Sequence, residues 1–478
     1  MLITSLEYKN AISEHPILLS FVIALMSIGV LLLFGQPILI AVTVGVTVIT
    51  AIWWMFELVP IAIASLLPII LLPIFGVLDT KEAASTFGHP IIVLLIGAFM
   101  MARAIEKTGL DNRLAFTIIG FFGKATPKRI LCGVMITSAF LSMWMSNVAT
   151  VLMMMPIVLG ITSRSNSKHV GKIMLLGLAY SANIGGIATP IGTPANVVFS
   201  SIYTSYFNTQ FGFLDWMAIA LPVVIIAIPA VAYWLSRELS DDTPIKISKV
   251  GKWDSAQRRV LSIFALVVLA WVFRSGPWGG WSSLFPTLQI DDGTVALIGV
   301  VLMFIVSTGS SGTVGAHNTV RTSDKLLDWS TASTISWSVI FLLAGGICLA
   351  KGFKTSGLSE LLGVAFMNLS QMPTMLTIMT LCFLVSFLTE ITSNTATTAL
   401  LMPILASAAI ALNIDAKLLM IPAAMSASCA FMLPAATAPN AVIYGANYFS
   451  INYMMRKGFV VNILLAIIIS TVCILSMG

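Results

Sequence analysis

Phe387-Leu388-Thr389-Glu390-Ile391-Thr392-Ser393-Asn394-Thr395-Ala396-Thr397 lies inside an apolar run, and it has a near-copy upstream. Phe140-Leu141-Ser142-Met143-Trp144-Met145-Ser146-Asn147-Val148-Ala149-Thr150 aligns with it position by position. Both copies continue through apolar residues to Met-Pro-Ile, at Met155-Pro156-Ile157 and Met402-Pro403-Ile404. A Ser-Asn pair in an apolar segment is costly unless its polar atoms have something to bind. Two such pairs in matched surroundings point to a site built from two halves.

The chain around them is 58% hydrophobic and 9% charged, outside the range of soluble globular proteins. Apolar runs of about 20 residues recur, each long enough to cross a ~30 Å hydrocarbon core as a helix. The sequence therefore reads as an all-α polytopic protein of the lipid bilayer. Its net charge of +6 is modest and its basic residues gather in connecting segments. They read as topology signals, and no nucleic-acid partner is expected. Cys132, Cys348, Cys382, Cys429 and Cys473 sit in apolar runs without metal-type spacing, as free buried thiols do. The first apolar run follows a polar start and no cleavage site is evident, so no removable signal peptide is expected.

Outward from the first Ser-Asn stretch, crossings are predicted at residues 17–34, 37–55, 60–75 and 91–105, followed by a basic segment at 111–129. Residues 130–161 are long enough to cross, yet Lys128 and Arg129 precede them and Arg164, Lys168 and Lys172 follow. Positive charge on both flanks places both ends on the cytoplasmic face, which describes a re-entrant hairpin tipped by Ser146-Asn147. The next run, 173–201, is interrupted by Gly185-Gly186-Ile187-Ala188-Thr189-Pro190-Ile191-Gly192-Thr193-Pro194. Glycine and proline at that density break a helix, and broken backbone at membrane depth is tolerated only where it is buried or lines a cavity. A crossing at 216–235 leads to a basic linker, 237–259.

The second half repeats the order. Crossings are predicted at 260–273, 295–307 and 336–349, a hairpin at about 375–412, a run at 418–444 broken at Leu433-Pro434-Ala435-Ala436-Thr437-Ala438-Pro439-Asn440, and a last crossing at 460–477. Gly309-Ser310-Ser311-Gly312-Thr313 lacks the Gly-Lys-Ser/Thr that a phosphate loop needs and reads as a linker. Gly109 with Gly357, Asn147 with Asn394, and Asn196 with Asn440 keep nearly constant separation, which marks an internal repeat. The division is an N-terminal span (1–36), a first repeat (37–236, hairpin at about 130–161), the linker (237–259) and a second repeat (260–478, hairpin at about 375–412). About eleven crossings place the N-terminus in the cytoplasm and the C-terminus outside, and give the repeats opposite orientation, the architecture of secondary transporters. The short loops suit a bacterial inner (cell) membrane.

A lone Ser or Asn in a membrane helix usually serves packing; repetition at matched spacing reverses that reading. Asn147 and Asn394 each offer a carbonyl oxygen and an amide. Ser142, Ser146, Thr389, Thr392 and Ser393, with carbonyls freed at Gly192 and Ala436, are neutral oxygen donors of the kind a small alkali cation accepts. Helix N-termini at the tips would present N–H groups to an anion. Neither motif holds a lysine or arginine, so a desolvated dianion there needs bound cations for its countercharge. Anion–cation symport follows naturally. Glu390 is the one carboxylate inside a hairpin, open to a proton or cation role or to a hydrogen bond with nearby backbone. No membrane-embedded Ser/His, paired Asp or His-Glu-x-x-His arrangement is present, so an enzyme is not expected. An ion channel is disfavoured by the two-hairpin repeat.

The paired Ser-Asn motifs, the Thr-Pro-Ile-Gly-Thr-Pro break, the Ala-Thr-x-Pro-Asn break and their order resemble the divalent anion/sodium symporter family, the INDY-type dicarboxylate carriers. The resemblance runs from about the second span to the end. It implies a homodimer that carries a di- or tricarboxylate (succinate, malate or fumarate-like) with sodium as the coupling ion, by an elevator motion. A dicarboxylate exchanger of the same fold is the alternative. By position, it implies one sodium site at Ser142, Ser146, Asn147 and Gly192 and another at Thr389, Thr392, Asn394 and Ala436. Substrate would meet Ser146, Asn147 and Val148 on one side and Ser393, Asn394 and Thr395 on the other, with Thr193, Pro194, Thr437 and Ala438 nearby. Where the first signature of the family ends in threonine, this chain has Val148, which keeps the shape and loses the hydroxyl.

Overall fold

The computed structural model describes residues 3–121, 126–165, 167–239, 253–274, 280–285, 287–288, 290–309, 325–366 and 373–477. Among them every regular element is helical, apart from one isolated bridge between Ser307 and Lys325. Among the described residues eight helices are long and apolar enough to cross a bilayer, and further apolar helices such as Asp292–Ile305 and Thr374–Leu388 are shorter. Leu25, Ile225, Leu384 and Leu475 are 66%, 62%, 65% and 81% exposed. Side chains of that kind are at rest against lipid, not water. The chain is a multi-pass membrane protein.

The hairpins are two helix pairs, Pro127–Ser142 with Asn147–Ser165 and Thr374–Leu388 with Asn394–Leu412. Each is followed by an interrupted helix: Lys168–Gly186 then Pro194–Phe207, and Lys417–Ala427 then Ala438–Gly445. Lys168–Gly186 packs on both helices of the first hairpin and Lys417–Ala427 on both helices of the second. The restarted helices cross over. Pro194–Phe207 packs on Asn394–Leu412, and Ala438–Gly445 on Asn147–Ser165. Phe213–Ser236 and Ile451–Met477 pack on each other, and each also braces the first helix of the hairpin nearest it in sequence.

A second group of helices stands against this one. Pro90–Thr108 packs on Asp292–Ile305, and Trp337–Ser356 packs on Leu66–Ile74. The matched glycines of the two halves make these contacts possible: a Cβ on Gly97 would sit 2.6 Å from Ala296 Cβ, and one on Gly345 would sit 2.4 Å from Ser65 O. Small residues let membrane helices approach to backbone distance.

Three elements differ from the sequence reading. The first helix runs from Ile3 to Leu33, so its start precedes the apolar run. Residues of the basic segment form a helix, Leu110–Phe121, capped off from its predecessor by Gly109 in the left-handed region (φ 64°). The third crossing is two helices, Ile61–Ala64 and Leu66–Ile74, parted at Ser65, whose hydroxyl bonds Ile61 O and accepts from Trp54 Nε1 at 3.0 Å. Residues 240–252 of the linker and 310–313 of the glycine-serine loop lie outside the described residues.

Candidate functional site

Both hairpin tips and both helix breaks open onto one cavity of about 990 Å³. Ser146, Asn147, Val148, Thr193, Pro194, Ser393, Asn394, Thr395, Thr437 and Ala438, expected to hold substrate, all line it. Of the residues expected to ligate cations, Ser146, Asn147, Gly192, Thr392, Asn394 and Ala436 line it too. Ser142 and Thr389 are fully buried behind the asparagines.

Local sequence explains why polar groups face the cavity. Four helices begin there, at Asn147, Pro194, Asn394 and Ala438. The first N–H groups of a helix have no partner within it, and small hydroxyl residues stand at each start. Ser146 Oγ accepts from Ala149 N at 3.2 Å and Thr437 Oγ1 from Asn440 N at 3.3 Å; Thr193 and Ser393 hold the N-cap positions of the other two. The positive ends of four helices thus converge on one volume.

The two tips share one geometry. Ser142 Oγ donates to Asn147 Oδ1 at 2.6 Å, and Thr389 Oγ1 lies 2.6 Å from Asn394 Oδ1. Thr389 Oγ1 is also 2.8 Å from Ala427 O, so its single proton serves one acceptor at a time. The first break is pressed against its tip. A Cβ on Gly186 would lie 2.5 Å from Asn147 Oδ1, and one on Gly192 2.5 Å from Gly186 O and 2.9 Å from Ser142 O. Glycine is required there because backbone carbonyls and the asparagine oxygen crowd together.

Each break is clasped by the asparagine that follows it. Asn196 Nδ2 donates to Gly186 O at 3.0 Å and Thr189 O at 2.7 Å, and Asn440 Nδ2 to Ala430 O at 3.0 Å and Leu433 O at 3.1 Å. The second break is longer, because the helix ends at Ala427, well before the Leu433–Asn440 motif. Glu390 accounts for the difference. Its Oε1 accepts from Phe431 N (2.7 Å), Met432 N (3.0 Å) and Asn462 Nδ2 (2.8 Å), and its Oε2 from Met432 N (3.1 Å) and Leu433 N (3.0 Å). The carboxylate takes the place of the helix carbonyls those N–H groups would otherwise use. Met143 stands at the matching position of the first tip; it offers the break no side-chain acceptor, and its backbone carbonyl accepts from Thr189 Oγ1. Between the two roles open to Glu390, the geometry is that of a backbone acceptor.

The halves are otherwise unequal. Thr392 Oγ1 pairs with Thr397 Oγ1 at 2.6 Å. In the first half Met145 replaces Thr392, and Thr150 Oγ1 is buried with no hydrogen-bond partner. Val148 faces the cavity where the second half offers Thr395.

Sequence reasoning missed two parts of the site. The facing wall carries Glu57, Arg103 and Glu106, with Arg103 Nη1 2.6 Å from Glu106 Oε2 and its Nη2 donating to Thr334 O at 3.0 Å. Asn183 also lines the cavity, between the first tip and the second break. It is one polar residue in an apolar run without a repeat partner, so no pattern singled it out.

The citrate transporter family CitMHS matches residues 51–418. The chain is 36% identical over 447 residues to a protein of Staphylococcus saprophyticus named sodium-dependent dicarboxylate transporter SdcS, covering 89% of this chain and 84% of that one. The protein of the same name from Staphylococcus aureus is equally similar, at 36% with the same coverage. Two solved structures share the fold at 12% identity. The YdaH transporter of Alcanivorax borkumensis has a TM-score of 0.57, covering 83% of this chain and 88% of that one. MtrF of Neisseria gonorrhoeae, described as one of a class of antimetabolite efflux pumps, has a TM-score of 0.58, covering 89% and 96%. With the paired tips and breaks in place, the chain belongs to the divalent anion/sodium symporter family, and is a transporter and not an enzyme.

Proposed function

We propose that this protein is a secondary active transporter that moves di- or tricarboxylates of the succinate, malate and fumarate type together with sodium. The observation that carries the reading is the joint opening of both Ser-Asn tips and both helix breaks onto one cavity. Among the described residues its lining has three carboxyl side chains, Glu57, Glu106 and Glu390, and one guanidinium, Arg103. A dianion entering such a wall is not neutralised by the protein and needs cations of its own.

The tips are suited to supply them. In this reading sodium is taken by Ser142, Ser146, Asn147 and the Gly192 carbonyl on one side, and by Thr389, Thr392, Asn394 and the Ala436 carbonyl on the other. A cation exchanges the 2.6 Å hydroxyl–amide contact in each tip for two oxygen–cation contacts. The substrate carboxylates meet the helix starts at Ser146-Asn147-Val148 and Ser393-Asn394-Thr395, with Thr193, Pro194, Thr437 and Ala438 around them. Cations at the tips and N–H dipoles at the helix starts then stabilise the same anion.

The domain division is proposed as two inverted repeats, 37–236 and 260–478, joined by the linker 237–259 after an N-terminal span. Eleven crossings are proposed, with the N-terminus cytoplasmic and the C-terminus exterior, in a bacterial inner membrane. The hairpins, the broken helices and the two helices that brace them form one packed group, and the helices carrying Gly97 and Gly345 form another; the cavity lies between. That arrangement supports an elevator motion of the first group past the second, within a homodimer.

The test is uptake of labelled succinate and malate into proteoliposomes under an inward sodium gradient. Saturable uptake that collapses when choline replaces sodium is expected. Uptake indifferent to that replacement refutes the coupling, and an absolute need for preloaded dicarboxylate replaces symport by exchange.

A further inference from the structure

We infer that Asn183 is a positioning residue that couples the two cation sites to each other, an inference that rests on the symport reading above. Asn183 lies one turn before the end of Lys168–Gly186 and is fully buried. Its Oδ1 accepts from Asn147 Nδ2 at 3.3 Å, and its Nδ2 lies 3.3 Å from Thr437 Oγ1 and 3.4 Å from Ala430 O. Among the described residues it is the side chain that joins a hairpin tip of one half to the helix break of the other.

The connection is continuous in both directions. Asn147 Oδ1 accepts from Ser142, so one end of the chain of bonds is the first proposed cation set. Thr437 Oγ1 caps the restarted helix through Asn440 N and is the residue after Ala436, whose carbonyl belongs to the second set. Among the described residues the second half has no equivalent side-chain brace. The corresponding turn there is Ala427-Ser428-Cys429-Ala430, and its contact with the second tip is a backbone carbonyl, Ala427 O, facing Thr389.

A cation at the first set turns Asn147 Oδ1 and Ser142 Oγ toward itself and releases the bond between them. The amide plane of Asn147 is rigid, so its Nδ2 is reoriented with its oxygen, and Asn183 transmits the change to Thr437 and the Ala436 carbonyl. Occupancy of the first site thus shapes the second, and Asn183 is the shared part.

The sodium dependence of succinate uptake in proteoliposomes tests this in the full-length protein, with wild type, Asn183→Ala and Asn183→Ser. Sodium-induced thermal stabilisation in detergent is the parallel readout, independent of transport. Serine is the second truncation, keeping one small polar group where alanine leaves none, and it is too short to span both partners. Wild type is expected to respond sigmoidally to sodium. Each variant is expected to show a Hill coefficient falling toward 1 and a rise of about fivefold in half-saturating sodium, the equivalent of one net hydrogen bond. Succinate KM at saturating sodium is measured alongside, because Asn147 and Thr437 also face substrate in the reading above, and the Hill coefficient is what decides the inference.

An unchanged Hill coefficient in the variants overturns the inference, as does a hyperbolic wild-type response. A raised succinate KM at saturating sodium with unchanged cooperativity makes Asn183 a substrate contact instead. Wild-type uptake and stability both indifferent to sodium overturn the symport reading itself, a distinguishable failure.

Discussion

Glu390→Gln separates a structural carboxylate from one that carries a proton or a cation. Glu390 is 4% exposed and accepts from three consecutive backbone N–H groups, at Phe431, Met432 and Leu433, and from the Asn462 amide. Glutamine does least harm with its NH2 in the Oε2 position. It then keeps the bonds from Phe431, Met432 and Asn462, loses that from Leu433, and sets two donors against each other. An unsatisfied buried N–H costs about 1–3 kcal/mol, and the three surviving bonds each lose the roughly 0.5–1 kcal/mol that the charge adds. The total is about 2.5–6 kcal/mol. The break cannot relax outward, because a Cβ on Gly458 would already be 2.2 Å from Phe431 O: the last helix is packed on this backbone. Thermal unfolding in detergent is expected to fall by about 2.5–6 °C for a chain of this size. Half-saturating sodium is expected to rise, because Ala436 follows the backbone segment whose bonds to the side chain are weakened. A glutamine variant with wild-type stability and sodium affinity would refute the assignment. One that keeps stability but loses the pH dependence of uptake shows that the carboxyl group carries a proton.

Val148→Thr adds a hydroxyl to a half-buried cavity residue without burying it unpaired; a bond to an ionised carboxylate is worth about 1.5–3 kcal/mol. Succinate KM is expected to drop about tenfold or more, and the same KM for every C4 dicarboxylate tried would mean that substrate does not reach this position. Gly192→Ala puts a Cβ 2.5 Å from Gly186 O and is expected to weaken sodium by about fivefold or more, at roughly 1–3 kcal/mol of overpacking. Gly346→Ala, where the nearest atom is 3.6 Å away, is the control; equal tolerance of both in a sodium titration would contradict the geometry. Burial raises the Asp111 carboxyl from 3.8 to about 6, with Glu106 adding to the rise and the Asn112 N–H opposing it. A raised folded-state value means stability that is complete at low pH and lost as pH climbs through about 6. The melting temperature of wild type is expected to decline between pH 5 and 7 faster than that of Asp111→Asn; parallel curves would dismiss the effect.

What the chain alone determined was its class, its duplication and the residues of its tips. Those follow from local costs: Ser146-Asn147 and Ser393-Asn394 are conspicuous because polar atoms in an apolar run need partners, and Gly185–Pro194 because helix cannot continue through it. Repetition of both at matched spacing needs no tertiary information. Which partners the atoms take is decided by contacts between segments far apart in sequence. Asn183 reaches Thr437 across 254 residues, and Glu390 captures N–H groups 41 to 43 residues away, ending the second broken helix earlier than its Leu433–Asn440 motif suggests. Nothing in local periodicity encodes such distances. The facing wall with Glu57, Arg103 and Glu106 was likewise invisible, because charges near helix ends read as topology signals until packing brings them to a cavity. The asymmetry at Val148 could be read directly. That Met145 leaves Thr150 without its pair emerged only once the Thr392–Thr397 contact was seen in space, since the need of a buried hydroxyl for a partner depends on what the fold places beside it.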